Sequence, residues 1–184
     1  MKYFKSILLF VFLAIGILAS CERDDICAES TPTTPRLLID FIDVSNRENM
    51  KNVVNLRVTG IGIDNMLPLD GLDGATRAVD NIQLPLRTDS TSTQFILHEN
   101  FAVNNNNTPD DTTDDFIEGN PDVITVNYET ELVFVSKACG FKTVFNNVTI
   151  TLEEDQDNWI ITRESINANQ SVADENETHF NILH

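Results

Sequence analysis

VITVNYETELVFVS, residues 123–136, decides the fold class. Ile124, Val126 and Tyr128 fall on one parity, with Val123, Thr125 and Asn127 on the other. A period of two is that of a strand with one buried face. Leu132-Val133-Phe134-Val135 then runs apolar without a break, which predicts a central strand covered on both faces. The alternation recurs outward in both directions. Leu37, Ile39 and Phe41 share a parity, as do Leu56 and Val58, Ile82, Leu84 and Leu86, and Phe95 and Leu97. Val144, Val148, Ile150 and Leu152 form another such set, broken by Asn146, and Trp159 with Ile161 and Phe180 with Ile182 close the series. Pro85 cannot donate to a ladder, so its strand is expected at an edge.

These are about nine strand candidates separated by turn chemistry, and no window of helical length shows a strong 3.6-residue period. Many short strands without interleaved helices predict an all-β protein, an antiparallel β-sandwich, immunoglobulin-like or related, of about seven to nine strands. The spacing of true immunoglobulin domains is missing, because Trp159 follows both internal cysteines. Asp64-Asn65, Asp70-Gly71 and Asp73-Gly74 mark turns, and NNNNTPDDTTDD (residues 104–115) reads as a mobile acidic loop with nothing to bury.

The 184 residues suit one domain, and 29 acids against 12 bases give a net charge of −17. That balance excludes a binder of phosphate backbones, which needs cations to release counterions. It likewise argues against docking on anionic lipid through a basic patch.

Residues 1–20 read as a signal peptide. Lys2 and Lys5 form a positive start, and Ile7 to Leu18 an apolar run too short to cross a bilayer as a helix. The run ends in Leu18-Ala19-Ser20-Cys21, which resembles the lipobox of bacterial lipoproteins. The resemblance implies that Cys21 is acylated and becomes the first mature residue. Glu22-Arg23-Asp24-Asp25 resembles the acidic surface-export signal of lipoproteins in Bacteroidetes-type bacteria. The expected organisation is a signal peptide at 1–20, an acylated tether at 21–35 and a β-sandwich at 36–184. The expected place is the outer membrane, lipid-anchored, on its periplasmic face or at the cell surface.

With Cys21 lipidated, Cys27 and Cys139 remain, and an even remainder in an oxidising compartment reads as one disulfide. The other reading, a nucleophilic Cys139, lacks a nearby histidine in sequence to act as base. Six extended residues from Cys21 to Cys27 span about 20 Å at most, so a bridged domain stays close to its anchor.

Catalytic signatures are sparse. Asp110, Asp111, Asp114 and Asp115, and Glu153, Glu154, Asp155 and Asp157, offer hard oxygen ligands, but neither run has the calcium-loop spacing. No metal and no cofactor is expected. There is no G-x-S-x-G, and His98, His179 and His184 sit in no motif. Trp159 is the one candidate sugar platform. Asp89-Ser90-Thr91 and Asp111-Thr112-Thr113 resemble the D-[ST]-x acceptor for bacterial O-glycans, which points to Ser90 and Thr112. Lys137 and Lys142 bracket Cys139 as a candidate interaction patch.

SCERDDICAE (20–29), TPTTPRL (31–37), LPLRTD (84–89), FVSKACGFKTVF (134–145) and ENETH (175–179) together resemble the DUF6452 family of uncharacterised Bacteroidetes-type lipoproteins. The resemblance implies a lipoprotein, supports pairing of Cys27 with Cys139, and brings no catalytic residues. The expectation is a non-enzymatic accessory or interaction module whose partners are the membrane, through its lipid, and another envelope protein. The alternative is a binding module for carbohydrate or a cell-envelope ligand.

Overall fold

The computed structural model describes residues 26–61, 67 and 77–184. Cys21, the signal peptide and the turn pairs of residues 64–76 lie outside them. The described chain is all-β. In order the strands are β1 (Leu37–Asp43), β2 (Asn46–Met50), β3 (Val53–Gly60), β4 (Arg77–Val79) and β5 (Asn81–Leu84), followed by β6 (Ser92–Asn104), β7 (Phe116–Ser136), β8 (Gly140–Leu152), β9 (Thr162–Ser165) and β10 (Phe180–Leu183). They form two five-stranded sheets. One runs β2-β1-β10-β9 with β5 also on β1, and the other runs β4-β3-β6-β7-β8. The architecture is sandwich-like, as the alternation predicts, with ten strands.

The described residues gather into two compact units. The smaller comprises Phe134–Phe141 and the described residues up to Thr31. The larger comprises Pro32–Val133 and Lys142–His184.

The larger unit holds one apolar core, built from the predicted parities. Leu37, Ile39 and Phe41, Leu56 and Val58, Ile82 and Leu84, Phe95 and Leu97, and Ile124, Val126 and Tyr128 are all buried in it. Bonding follows from the same alternation: Phe95 pairs with Ile124 and Gly60, and Leu97 with Val58. Pro85 follows directly after β5, which pairs only at β1, so the expected edge position holds.

Four features depart from the expectation, each for a local reason. First, β1 and β10 pair in parallel, Ile39 opposite Phe180 and Phe41 opposite Ile182, although the other pairs with a stated register are antiparallel. Period-two patterns carry no strand direction, so alternation alone could not show this. Second, Leu132-Val133-Phe134-Val135 is not central. β6 accompanies β7 only from Phe116 to Asn127, and Leu132 is 70% and Phe134 58% exposed.

Third, β8 changes phase. Val144 and Phe145 are both buried, and Asn147 takes a φ of 52°. Phe145 exchanges both backbone bonds with Val172 (3.0 and 2.8 Å) before Val148 resumes the buried parity. Fourth, Trp159 and Ile160 are both buried ahead of β9. Their loop is held by the fully buried Asp122 carboxylate, which accepts from the Ile160 N–H at 2.9 Å and the Asn158 amide at 3.2 Å. Burial raises the Asp122 pKa against the pull of these donors.

The two chain ends are tied by a short polar ladder. Arg36 grips Glu175 with two guanidinium contacts (3.0 and 2.7 Å) and its own N–H (2.7 Å). Thr178 donates to Asp40 at 2.9 Å. The Leu38 N–H donates to Nδ1 of buried His179 at 3.0 Å, and the His179 N–H returns a bond to the Leu38 carbonyl. The imidazole must therefore present an unprotonated Nδ1. Burial holds the pKa of His179 below the ordinary histidine value, against the pull of the Asp174 carbonyl and of the Asp174 and Glu175 charges. His98 and His184 are lowered too, again chiefly by burial.

A histidine lowered by folding contributes stability that is present above the ordinary pKa of about 6.5 and lost as pH falls through the folded value. The melting temperature should therefore fall between pH 7.5 and 5.5. His179→Asn, which keeps a side-chain oxygen to receive the Leu38 N–H but cannot titrate, should flatten part of that slope. Calorimetry across the range checks this, and an unchanged slope in the variant would remove His179 from the account.

Candidate functional site

The sheet β3-β6-β7 carries its site on the outer face. In-register rows place Arg57 beside His98 and His98 beside Pro121, with Thr59 beside Ile96 in the next row. Phe101 joins them through a fault in β6. Glu99 pairs with Asn120 and Ala102 with Glu118, so two residues of β6 stand against Gly119 alone. This is a β-bulge, which resets the facing of everything beyond it. By parity with buried Leu97, Phe101 would point inward. After the bulge its ring lies 5.1 Å from His98, edge to face, and 4.4 Å beneath the Arg57 guanidinium carbon.

The bulge needs two unusual backbones. Asn100 takes a φ of 53° and Gly119 one of 104°. A Cβ on Gly119 would collide with the Glu99 carbonyl oxygen and stand 2.7 Å from that of Asn100. Only glycine fits there.

The result is a cleft of about 650 Å³ lined by Arg57, Thr59, Ile96, His98, Phe101 and Ile117, with Gly119 and Pro121 at its base. Ile117 pairs directly with Val103, and the two are 61% and 56% exposed. His98 Nε2 lies 3.0 Å from the Glu118 carbonyl oxygen. Burial and the Arg57 charge both lower its pKa. The lining thus offers a stacked cation, an aromatic ring, an aliphatic wall and an imidazole that favours its neutral form. Among the described residues the lining includes no carboxylate or thiol, and what it offers is a set of contacts for a ligand.

None of the residues singled out from sequence lies in this cleft except His98. The signal that could have found it is the run His98-Glu99-Asn100-Phe101, where asparagine tolerates a left-handed backbone, paired with Gly119 on the neighbouring strand.

The sequence candidates fall elsewhere. Cys27 and Cys139 form a disulfide across 112 residues, which removes Cys139 as a nucleophile. Cys139 lies in the β7–β8 turn, where its N–H donates to Ser136 Oγ at 3.0 Å. Lys137 is exposed, whereas the Lys142 ammonium donates to the Ala173 carbonyl at 2.8 Å. Ser90 is half-buried in a tight turn beside the bidentate Arg87–Asp89 pair, and Thr112 is exposed. Trp159 is buried and donates to the Leu97 carbonyl at 3.2 Å, so it presents no open ring face to a sugar.

In the 104–115 loop, Asp114 accepts from Asn106 and Thr108 and Asp111 from Thr113, all short-range bonds. These donors lower the pKa of both carboxylates. Among the described residues no three acidic, histidine or cysteine groups converge on a point that would hold a metal ion.

Fold and site together define an all-β, two-sheet protein with an amphipathic cleft on its outer face. The chain belongs to the family of unknown function DUF6452, which matches residues 55–184. The match takes in the cleft and Cys139, and leaves out β1, Cys27 and the lipobox-like segment. No curated protein and no solved structure matches the chain.

Gly119→Ala should destabilise the fold by about 2–3 kcal/mol, since it forces a disfavoured φ and displaces backbone oxygens. It should also shift the NMR signals of His98, through lost contact with Phe101. A variant as stable as the parent, with those signals unmoved, would show that the bulge does not depend on glycine.

Proposed function

We propose that the protein is a lipid-anchored envelope lipoprotein of Bacteroidetes-type bacteria, attached to the outer membrane through acylated Cys21. It acts as a non-catalytic accessory or interaction module, and its recognition face is the outer face of β3, β6 and β7. The observation that carries the second part is the bulge that turns Phe101 outward over Arg57. Half-buried Phe101 lies beside the exposed Val103–Ile117 pair, and together they give this face an apolar patch. A partner that covers the patch removes that apolar area from water. The anchor is supported by the ordered succession of lysines, apolar run and Leu18-Ala19-Ser20-Cys21, and by a disulfide suited to an oxidising compartment.

The cleft also supports the second reading, a small-ligand module. One aromatic wall and a guanidinium match the flat face and hydroxyls of a sugar or the acidic group of an envelope component. The buried Trp159 takes no part in that reading.

Two measurements test these statements. Cys21→Ala should move the protein from the membrane pellet to the soluble fraction, and unchanged fractionation would remove the anchor. Ile117→Asp, at an exposed position, should leave the unfolding free energy within about 0.5 kcal/mol of the parent. It should abolish whichever adduct crosslinking in whole cells yields for the parent chain. An adduct that survives would move the recognition face elsewhere.

A further inference from the structure

The smaller unit is short and its surface is unusual. It includes the β7–β8 tip, Phe134 to Phe141, and the segment that begins at Ile26, joined through Cys27–Cys139. Gly140, at a φ of 70°, completes the turn. Phe134 and Phe141 meet edge to face with centroids 5.4 Å apart, yet remain 58% and 63% exposed, and Ile26 is 83% exposed. Between the two phenylalanines stands exposed Lys137. Residues 134–141 contain no acid, in a chain whose net charge is −17.

What covers these rings follows from chain length. Cys27 is six residues from Cys21, a reach of about 20 Å at most. If Cys21 is acylated, the disulfide confines Cys139 and its turn to within that reach, plus the bridge itself, of the lipid interface. Phenylalanine and isoleucine enter the boundary between headgroups and acyl chains, and a lysine beside them sends its stem along the apolar surface and its ammonium to phosphate. The tether itself is acidic at Glu22, Asp24 and Asp25, so the contact is apolar rather than electrostatic in origin.

We propose that the β7–β8 tip is a second, non-covalent membrane contact: Phe134, Phe141 and Ile26 rest in the leaflet that holds Cys21. The inference depends on the proposed acylation and adds to it. An acyl group alone gives a leash, whereas the tip, pinned by the disulfide beside the anchor, gives a seat.

The test uses the full lipidated chain in vesicles of phosphatidylethanolamine and phosphatidylglycerol, with ordinary or brominated acyl chains. With excitation selective for indole, the parent emits from Trp159, which is buried and checks folding in every sample. Phe134→Trp and, separately, Phe141→Trp add an indole at the tip. The added emission should lie to the blue of a water-exposed indole, lose most of its intensity in brominated vesicles and resist aqueous acrylamide. Quenching by acrylamide and not by bromine would overturn the proposal. An indole shielded from both would also overturn it, by placing a second copy or another protein on the tip. Flotation of the same samples reads the anchor independently. Chains that fail to float overturn the acylation and the contact with it, whereas chains that float with a water-exposed tip overturn the contact alone.

Discussion

Strand β1 is the constraint on which the first sheet rests. Along its seven residues it bonds β10 in parallel, β5 at its start and β2 at its end. Among the described residues no other strand of that sheet has three partners, and β9 reaches β1 through β10. The parallel pair joins positions about 140 residues apart in sequence, so its closure carries a large entropic cost. The polar ladder of Arg36–Glu175, Leu38–His179 and Asp40–Thr178 fixes its register and offsets part of that cost. It also makes one imidazole proton count, because a protonated Nδ1 cannot accept from Leu38.

This explains what several of the family-like stretches contain. The end of TPTTPRL supplies Arg36, which meets Glu175 of ENETH, while Thr178 and His179 of ENETH bond Asp40 and Leu38 of β1. LPLRTD supplies Leu84, which pairs with Leu37, and Arg87, whose carbonyl accepts from Tyr128. These residues hold strands together. Their role in this chain is architectural, and the recognition proposed above draws instead on the less conspicuous Arg57, His98 and Phe101.

The fold class was legible because a buried face leaves a period of two, and the positions named for it from Leu37 to Tyr128 are buried. Three kinds of information were not. Strand direction leaves no trace in alternation, so the parallel β1–β10 pair was hidden. Apolarity does not distinguish a covered strand from one that projects, so Leu132 and Phe134 passed for a central strand. A bulge inverts facing at a single residue, so the turning of Phe101 needed both strands in register to be seen. The Cys27–Cys139 pairing was legible because it needed a count of cysteines and no geometry.

The exposed apolar groups gain meaning from the charge around them. An acidic surface keeps copies of the chain apart, since like charges repel at every approach. Such repulsion opposes self-association through half-buried Phe101 and exposed Ile117, Phe134 and Phe141. A cation is set among each group: Arg57 lies over Phe101, and Lys137 lies between Phe134 and Phe141 in sequence. A cation beside these aromatic groups lowers the local repulsion toward a polar, anionic or zwitterionic neighbour. The net charge and the cations thus act in opposite senses: repulsion disfavours close approach of like-charged surfaces, and a basic residue beside an apolar group softens it locally.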